Sequence, residues 1–196
     1  MKLRGKKILA VWMVLLVFSL TACGKQKDNE SDQSLRDMKV ADKIKTFTLN
    51  GCPLSVPCKV KDLPEGMSLG YGYSSMGDGE VLCELRFEGK LLGMVLLPEA
   101  NIGTDSFVDM STGYEEEMIS YFSNNSVVDF EIASITQDCT LDEVVELWGE
   151  PNKSSDSRLS YFDIDEKTGK EVATISLYRY ADDDKITQIS ISSSVY

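Results

Sequence analysis

The sequence predicts an α+β protein of antiparallel sheets with short helices packed on one face, and three observations predict it. From Ile44 onward, short segments of alternating apolar and polar residues recur, separated by turns rich in Asn, Gly and Asp. Residues 140–151 break that period with apolar side chains at helical spacing. Several neighbouring segments are joined by hairpin-like turns, Asn50-Gly51 and Glu88-Gly89-Lys90 among them, which suits antiparallel pairing. With 196 residues, 42% hydrophobic and 27% charged, the chain has a globular composition with room for one domain or two small ones.

Residues 1–22 bear on compartment. Lys2, Arg4, Lys6 and Lys7 form a basic head, and residues 8–20 carry no charge. That is the plan of a signal peptide. As a helix the uncharged run is about 20 Å long, short of the roughly 30 Å hydrocarbon core, so a permanent span is the weaker reading. The run ends in Leu20-Thr21-Ala22-Cys23, which resembles the lipobox of bacterial lipoproteins. The resemblance implies cleavage before Cys23 and a diacylglycerol on its sulfur, with membrane attachment facing outside the cytoplasm. Cleavage removes four cations and no acid from a chain with 20 Lys plus Arg against 32 Asp plus Glu. Charge therefore does not hold the mature protein to an anionic bilayer. Acyl chains, at about 0.8 kcal/mol per buried methylene, would.

Residues 23–43 read as the lipidated Cys followed by a flexible charged tether, since half of residues 24–43 are ionisable. A docked amphipathic helix is the alternative, with Leu35, Met38 and Val40 as its apolar side chains.

Residues 44–134 read as a first α+β unit. Phe47 and Leu49 alternate with Thr46 and Thr48, Asn50-Gly51 is a two-residue hairpin signal, and Leu54-Ser55-Val56 returns. Strands are expected at 67–73, 80–87 and 91–97, the last two joined by Glu88-Gly89-Lys90. Gly70-Tyr71-Gly72 precedes no helix start, so a bulge explains it better than a phosphate cradle. Within 101–125, Met118, Ile119, Tyr121 and Phe122 follow three glutamates and favour a strand over a short helix.

Residues 135–196 read as a second unit of one helix and three strands. Thr140 with Glu143 makes a capping box, and Asp142 adds negative charge where the helix dipole is positive. Leu141, Val144, Val145 and Trp148 form one apolar stripe, Gly149 suits the C-terminal turn and Pro151 prevents continuation. Strands follow at 158–164, 172–180 and 185–193, where Ala173, Ile175, Leu177, Ile189 and Ile191 line one face. Cys58 and Cys139 each stand just before a candidate helix, so two tandem helix-on-sheet units are expected.

Thr140-x-x-Glu143-Val144-x-x-Leu147-Trp148-Gly149-x-Pro151, with three strands after it, resembles the outer-membrane assembly lipoproteins of the BamE/SmpA type and the related beta-lactamase-inhibitor-like units. Pro57-Cys58-Lys59-Val60, after a hairpin and before a short helix, resembles small Gram-positive surface lipoproteins. Both resemblances imply architecture and location, and neither implies an activity.

Four cysteines remain beyond Cys23: Cys52, Cys58, Cys83 and Cys139. In an exported chain two disulfides can form, in any of three pairings, or the thiols stay free; no Cys-x-x-Cys pair supports zinc. If the Asn50-Gly51 turn lays Cys52 to Cys58 along one returning strand, those two are too far apart to bridge each other.

The chain has no His, which removes Ser-His and Cys-His nucleophiles, and it has neither a Ser-x-x-Lys nor a Gly-x-Ser-x-Gly motif. Its net charge of -12 argues against nucleic acid. No cofactor beyond the diacylglycerol is expected. Asp163-x-Asp165 resembles the start of a calcium loop but continues with Thr168 and Thr174 where Gly and Glu belong, and Asp182-Asp183-Asp184 reads as a hairpin tip. The expected role is a non-enzymatic binding or scaffolding module for an envelope or extracellular protein. Tyr71, Tyr73, Tyr161 and Tyr180 are the candidate contact aromatics, with Trp148 assigned to the core. The alternative is a carboxylate-dependent hydrolase or carbohydrate-active enzyme; inhibition of an extracellular enzyme is a weaker one.

Overall fold

The computed structural model describes residues 29–74, 80–98, 107–124, 128–180 and 183–194. Residues 1–22, read from the sequence as a signal peptide ending in Leu20, Thr21 and Ala22, and the expected lipidation site Cys23 lie outside the described residues.

The protein is α+β and its sheets are antiparallel. Helices α1 (Asn29–Asp37) and α2 (Val40–Ile44) come first, followed by strands β1 (Thr48–Leu49), β2 (Cys52–Pro53) and β3 (Cys58–Lys59) and a 3-10 turn at Val60–Asp62. Then come β4 (Met67–Ser74), β5 (Glu80–Phe87), β6 (Lys90–Pro98), β7 (Phe107–Asp109), β8 (Met118–Ile119), β9 (Tyr121–Ser123), β10 (Phe130–Ile132) and β11 (Ile135–Thr136). Helix α3 (Leu141–Trp148) precedes β12 (Lys153–Ser155), β13 (Arg158–Ile164), β14 (Glu171–Tyr178) and β15 (Gln188–Ser193).

Local chemistry accounts for most of these elements. Asn50 and Gly51 take φ of 49° and 75°, and Leu49 pairs with Cys52 across them, the two-residue turn that Asn-Gly favours. Glu88 and Gly89, at 49° and 79°, close the β5–β6 hairpin in the same way. The register of β4 on β5 shifts between Leu69 and Gly72, which is the expected bulge. On α3, the Thr140 side chain accepts from Glu143 N while the Glu143 carboxylate accepts from Thr140 N at 2.9 Å, so the capping box is complete.

Two expectations about organisation are corrected. The first concerns residues 23–43: from Asn29 the chain is helical and docked, not a solvated tether. Asp163 Oδ1 and Oδ2 accept from Val40 N and Ala41 N at 3.2 and 2.8 Å, supplying the cap that Lys39 does not. Arg36 Nη2 donates to Glu146 O at 2.6 Å near the C-terminal end of α3, while Leu35, Met38, Val40 and Ile44 pack on the core. A few apolar side chains suffice because another element satisfies the polar backbone.

The second correction concerns the two tandem units. β12-β13-β14-β15-β9-β6-β5-β4-β7 form one nine-stranded sheet, and the boundary at 134–135 falls inside the four-stranded sheet β11-β10-β1-β2. β9 joins the halves by pairing with β15 on one side and β6 on the other. The helix expected after Cys58 is only the three-residue 3-10 turn. β2 also stops after Pro53, so Cys52 and Cys58 belong to different sheets.

The core lies on one face of the large sheet. Across seven strands the register aligns Tyr161, Ile175, Ile191, Phe122, Val95, Cys83 and Gly72, all buried. Phe47, leading into β1, packs its ring 5.5 Å from that of Phe122. Val144 and Trp148 of α3 and Ile44 of α2 cover the same side. Trp148 is core, with Nε1 donating to Ala133 O at 3.0 Å and its ring edge-on to Tyr161 at 5.3 Å.

Candidate functional site

A strand puts alternate side chains on opposite faces, so each buried row of the sheet has a counterpart one residue along on the other side. Next to the row from Tyr161 to Gly72 stands Phe162, Thr174, Ser192, Tyr121, Leu96, Leu82 and Tyr73, each opposite the next in register. None of these seven is buried. Phe162, Tyr121, Leu96, Leu82 and Tyr73 are absent from the hydrophobic core and from the side chains packed against it. α2, α3 and the smaller sheets contribute instead to the core on the opposite face, leaving this face open among the described residues.

A parallel row holds Ser160, Ser176, Ser190, Ser123, Met94 and Glu84. Three of its serines are buried although they stand on the open face, because longer side chains lie over them. Arg158 donates from Nε to Ser160 Oγ at 2.9 Å and from Nη2 to Ser176 Oγ at 3.1 Å, its guanidinium 5.1 Å from the Tyr178 ring centre. Gln188 Nε2 donates to Ser123 Oγ at 3.0 Å. These bonds hold Arg158 and Gln188 against the serines, so hydroxyls and amides alternate on this face with rings, Tyr121 on the central strand β9 among them.

On the β4–β5 side, Arg86 Nη2 and Glu84 Oε2 pair at 2.7 Å, and Glu84 also accepts from Tyr71 N at 3.2 Å. A β-carbon on Gly70 would lie 2.6 Å from Glu84 Oε2 and 2.7 Å from Arg86 Nε, so the missing side chain makes room for the pair. Tyr71 and Tyr73 flank this pair, 55% and 38% exposed. Lys153, on the opposite edge, pairs with Glu171 at 3.1 Å. Glu80 lines the same depression as Leu96, Tyr121 and Ser192 of the long row. Cations and carboxylates on this face nearly balance, in a chain whose net charge is -12.

Of the aromatics named from the sequence, Tyr71 and Tyr73 are on this face and Tyr180 is exposed beyond the end of β14. Tyr161 is corrected: it is 4% exposed, its hydroxyl donates to Gly149 O at 2.9 Å, and burial raises its phenol pKa. The missed aromatics are Phe162, Tyr121 and Tyr178. Phe162 adjoins Tyr161, and only the pairing of Tyr161 with Ile175 decides which of the two faces the core.

Compared with protein-family models, with curated proteins and with solved structures, the chain finds no match.

The remaining sites named from the sequence are held by local structure. Cys52, Cys58, Cys83 and Cys139 are thiols. Burial pushes the Cys83 thiol up to about 12 and, helped by Asp62, the Cys58 thiol to about 11, which leaves both unreactive at neutral pH. Asp163 caps α2, and Asp165 Oδ1 accepts from Thr168 N, Thr168 Oγ1 and Lys167 N in a turn. Asp183 accepts from Lys185 N, and Asp182 lies outside the described residues. Among the described residues no group of three or more Cys, Asp or Glu is placed to hold a metal ion.

A cleft of about 650 Å³ opens beside the N-terminus of α3, with Leu141, Val145 and Leu159 on its floor and Asp142, Asp156 and Asp184 around it. Arg179 crosses it, donating from Nε to Asp156 O at 2.8 Å and from Nη1 to Asp183 O at 3.4 Å, and so ties two hairpin tips together. The Asp184 side chain is 96% exposed, far from the desolvated setting that a general acid requires.

Proposed function

We propose that this chain is a lipid-anchored, extracytoplasmic binding module that presents the open face of its nine-stranded sheet to a ligand. The observation that carries the reading is the row from Phe162 to Tyr73, in which rings, aliphatic chains and hydroxyls stand in register across seven strands and none is buried, with Lys153 lying 4.9 Å over the Phe162 ring. Mixed aromatic and polar surface of this kind suits recognition. The absence of His and of nucleophile motifs supports binding over catalysis.

The anchor is supported by the basic head, the uncharged run and Leu20-Thr21-Ala22-Cys23. From Cys23 to Asn29 the chain spans at most about 21 Å. α1 packs on α3, on the covered side of the sheet. Anchoring at Cys23 would thus hold the helical side within that reach of the membrane and turn the open face outward.

Two measurements test the reading. Intact mass of the mature chain should show loss of residues 1–22 and a diacylglycerol on Cys23; a retained leader with an unmodified thiol refutes the anchor. A photo-crosslinking residue at Tyr73 or Tyr121 should capture a ligand on intact cells, whereas one at Lys61 should not. Equal labelling at all three refutes the face. The hydrolase alternative has the cleft beside α3 as its one specific support, and turnover abolished by Asp142→Asn or Asp156→Asn in a folded protein would favour it.

A further inference from the structure

We infer that the corner of the sheet formed by β12 and β13 is an anion site, where Arg158 and Lys153 take one oxyanion group, a carboxylate or a phosphate. The inference goes beyond the binding-face reading and does not depend on it, because the site is defined by its own donors. A depression of about 230 Å³ lies there, lined by Lys153, Ser154, Ser155, Arg158 and Ser160. Two cations and three hydroxyls line it, and none of the described carboxylates does. In a chain with 32 Asp plus Glu against 20 Lys plus Arg, a lining without an acid calls for a reason.

Arg158 is held by bonds that leave one edge of its guanidinium unused. Nε donates to Ser160 Oγ at 2.9 Å and Nη2 to Ser176 Oγ at 3.1 Å; the two hydroxyls lie 2.9 Å apart, and both serines are buried. The Tyr178 ring, its centre 5.1 Å away, supports one flat face. Nη1 and the second hydrogen of Nη2 bond to no described group, and Arg158 itself is exposed. Those two N–H bonds form a fork that matches two oxygens of a carboxylate or phosphate. Arg86, on the same face, shows the contrast: there Glu84 Oε2 takes both Nε and Nη2, at 3.0 and 2.7 Å, and cancels the charge. Neutral serines fix Arg158 in the same manner and leave its charge in place, so little ordering remains when an anion arrives.

Lys153 supplies the second charge. It pairs with Glu171 at 3.1 Å, but the two side chains are 68% and 45% exposed, and such pairs hold loosely enough for the ammonium to turn to a ligand. Asp156, in the turn between β12 and β13, lines the cleft beside α3 instead. A cationic ligand would meet two like charges here. A polyanion would extend past the corner onto Glu171 and a chain of net charge -12, so the depression suits one anionic group.

NMR titration of the full chain in mild detergent, with inorganic phosphate and separately with acetate at constant ionic strength in chloride, tests the assignment. The Arg158 Nε–H signal and the amides of residues 153–160 should shift and saturate with at least one of the two. Saturation with phosphate alone assigns a phosphate group, and with acetate alone a carboxylate. Arg158→Gln should weaken binding at least about tenfold, the scale of a lost hydrogen bond to a charged group. Arg158→Lys, which keeps the charge and loses the fork, should weaken it as well. Lys153→Gln, at an exposed position that the fold does not need, should weaken it about threefold. Lys90→Ala, on β6 four strands from β13, should leave it unchanged. Shifts that grow linearly with both anions, or affinity in either Arg158 variant equal to that of the parent protein, overturn the site. Neither result touches the binding-face reading, which stands or falls with crosslinking at Tyr73 and Tyr121.

Discussion

Asp163→Ala should release the N-terminal helices while leaving the large sheet intact. α2 has five residues, too few to hold itself together, and Lys39 at its N-cap provides no side-chain acceptor. Its first two amides bond to the Asp163 carboxylate on β13 at 3.2 and 2.8 Å. Losing a cap costs about 1 kcal/mol, and hydrogen bonds to a charged group are worth about 1.5–3 kcal/mol. Asp163 also faces Lys43, which is 3% exposed, donates to Met38 O and lies 5.4 Å from the Trp148 ring centre. Burial lowers the Lys43 pKa, and Asp163 and Asp37 oppose that shift, so removing Asp163 leaves a buried ammonium less compensated. The combined loss is about 2–3 kcal/mol, a rise of about 30- to 140-fold in local opening. Amide hydrogen exchange at Val40 and Ala41 measures it, and limited proteolysis should cut between residues 37 and 47. Asp163→Asn, which keeps an oxygen without the charge, should lose about half as much. Exchange within about threefold of the parent protein in Asp163→Ala would refute the reasoning, because docking would then rest on apolar packing alone.

The other predictions concern close packing and titration. Gly93→Ala should destabilise by about 2–3 kcal/mol, read as a lower urea midpoint, because its β-carbon would press on the Ser123 carbonyl oxygen and lie 2.9 Å from the Phe122 ring. Gly70→Ala should cost less than about 1 kcal/mol, since it meets only the movable ends of Glu84 and Arg86. Glu116 is held down to about 2 by hydrogen bonds from Lys59 and Lys61. Its folded pKa lies below the unfolded value of 4.5, so the stabilisation is present above 4.5 and is lost as pH falls toward 2; NMR titration of its carboxyl carbon should show the low midpoint. Cys83, fully buried, should resist a thiol reagent at pH 8 until the protein is unfolded, and rapid labelling of the native protein would contradict its position in the core.

What the residues determined alone was everything set by near neighbours. Thr140 and Glu143 cap α3 because both partners lie within one turn. Asn50-Gly51 and Glu88-Gly89 turn because their backbones accept positive φ. The strands from Glu80 and from Arg158 were legible because apolar period and turn residues agree there. What only the tertiary structure decided depended on partners far along the chain. The helices at 29–44 needed Asp163, more than a hundred residues away, and no local pattern announces that cap. One sheet in place of two units required β9, a three-residue strand, to pair on both sides. The same dependence governs the candidate site. A strand's period of two allows either parity until its register is set, so the pairing of Tyr161 with Ile175 buried one ring and left Phe162 beside it half-buried on the other face.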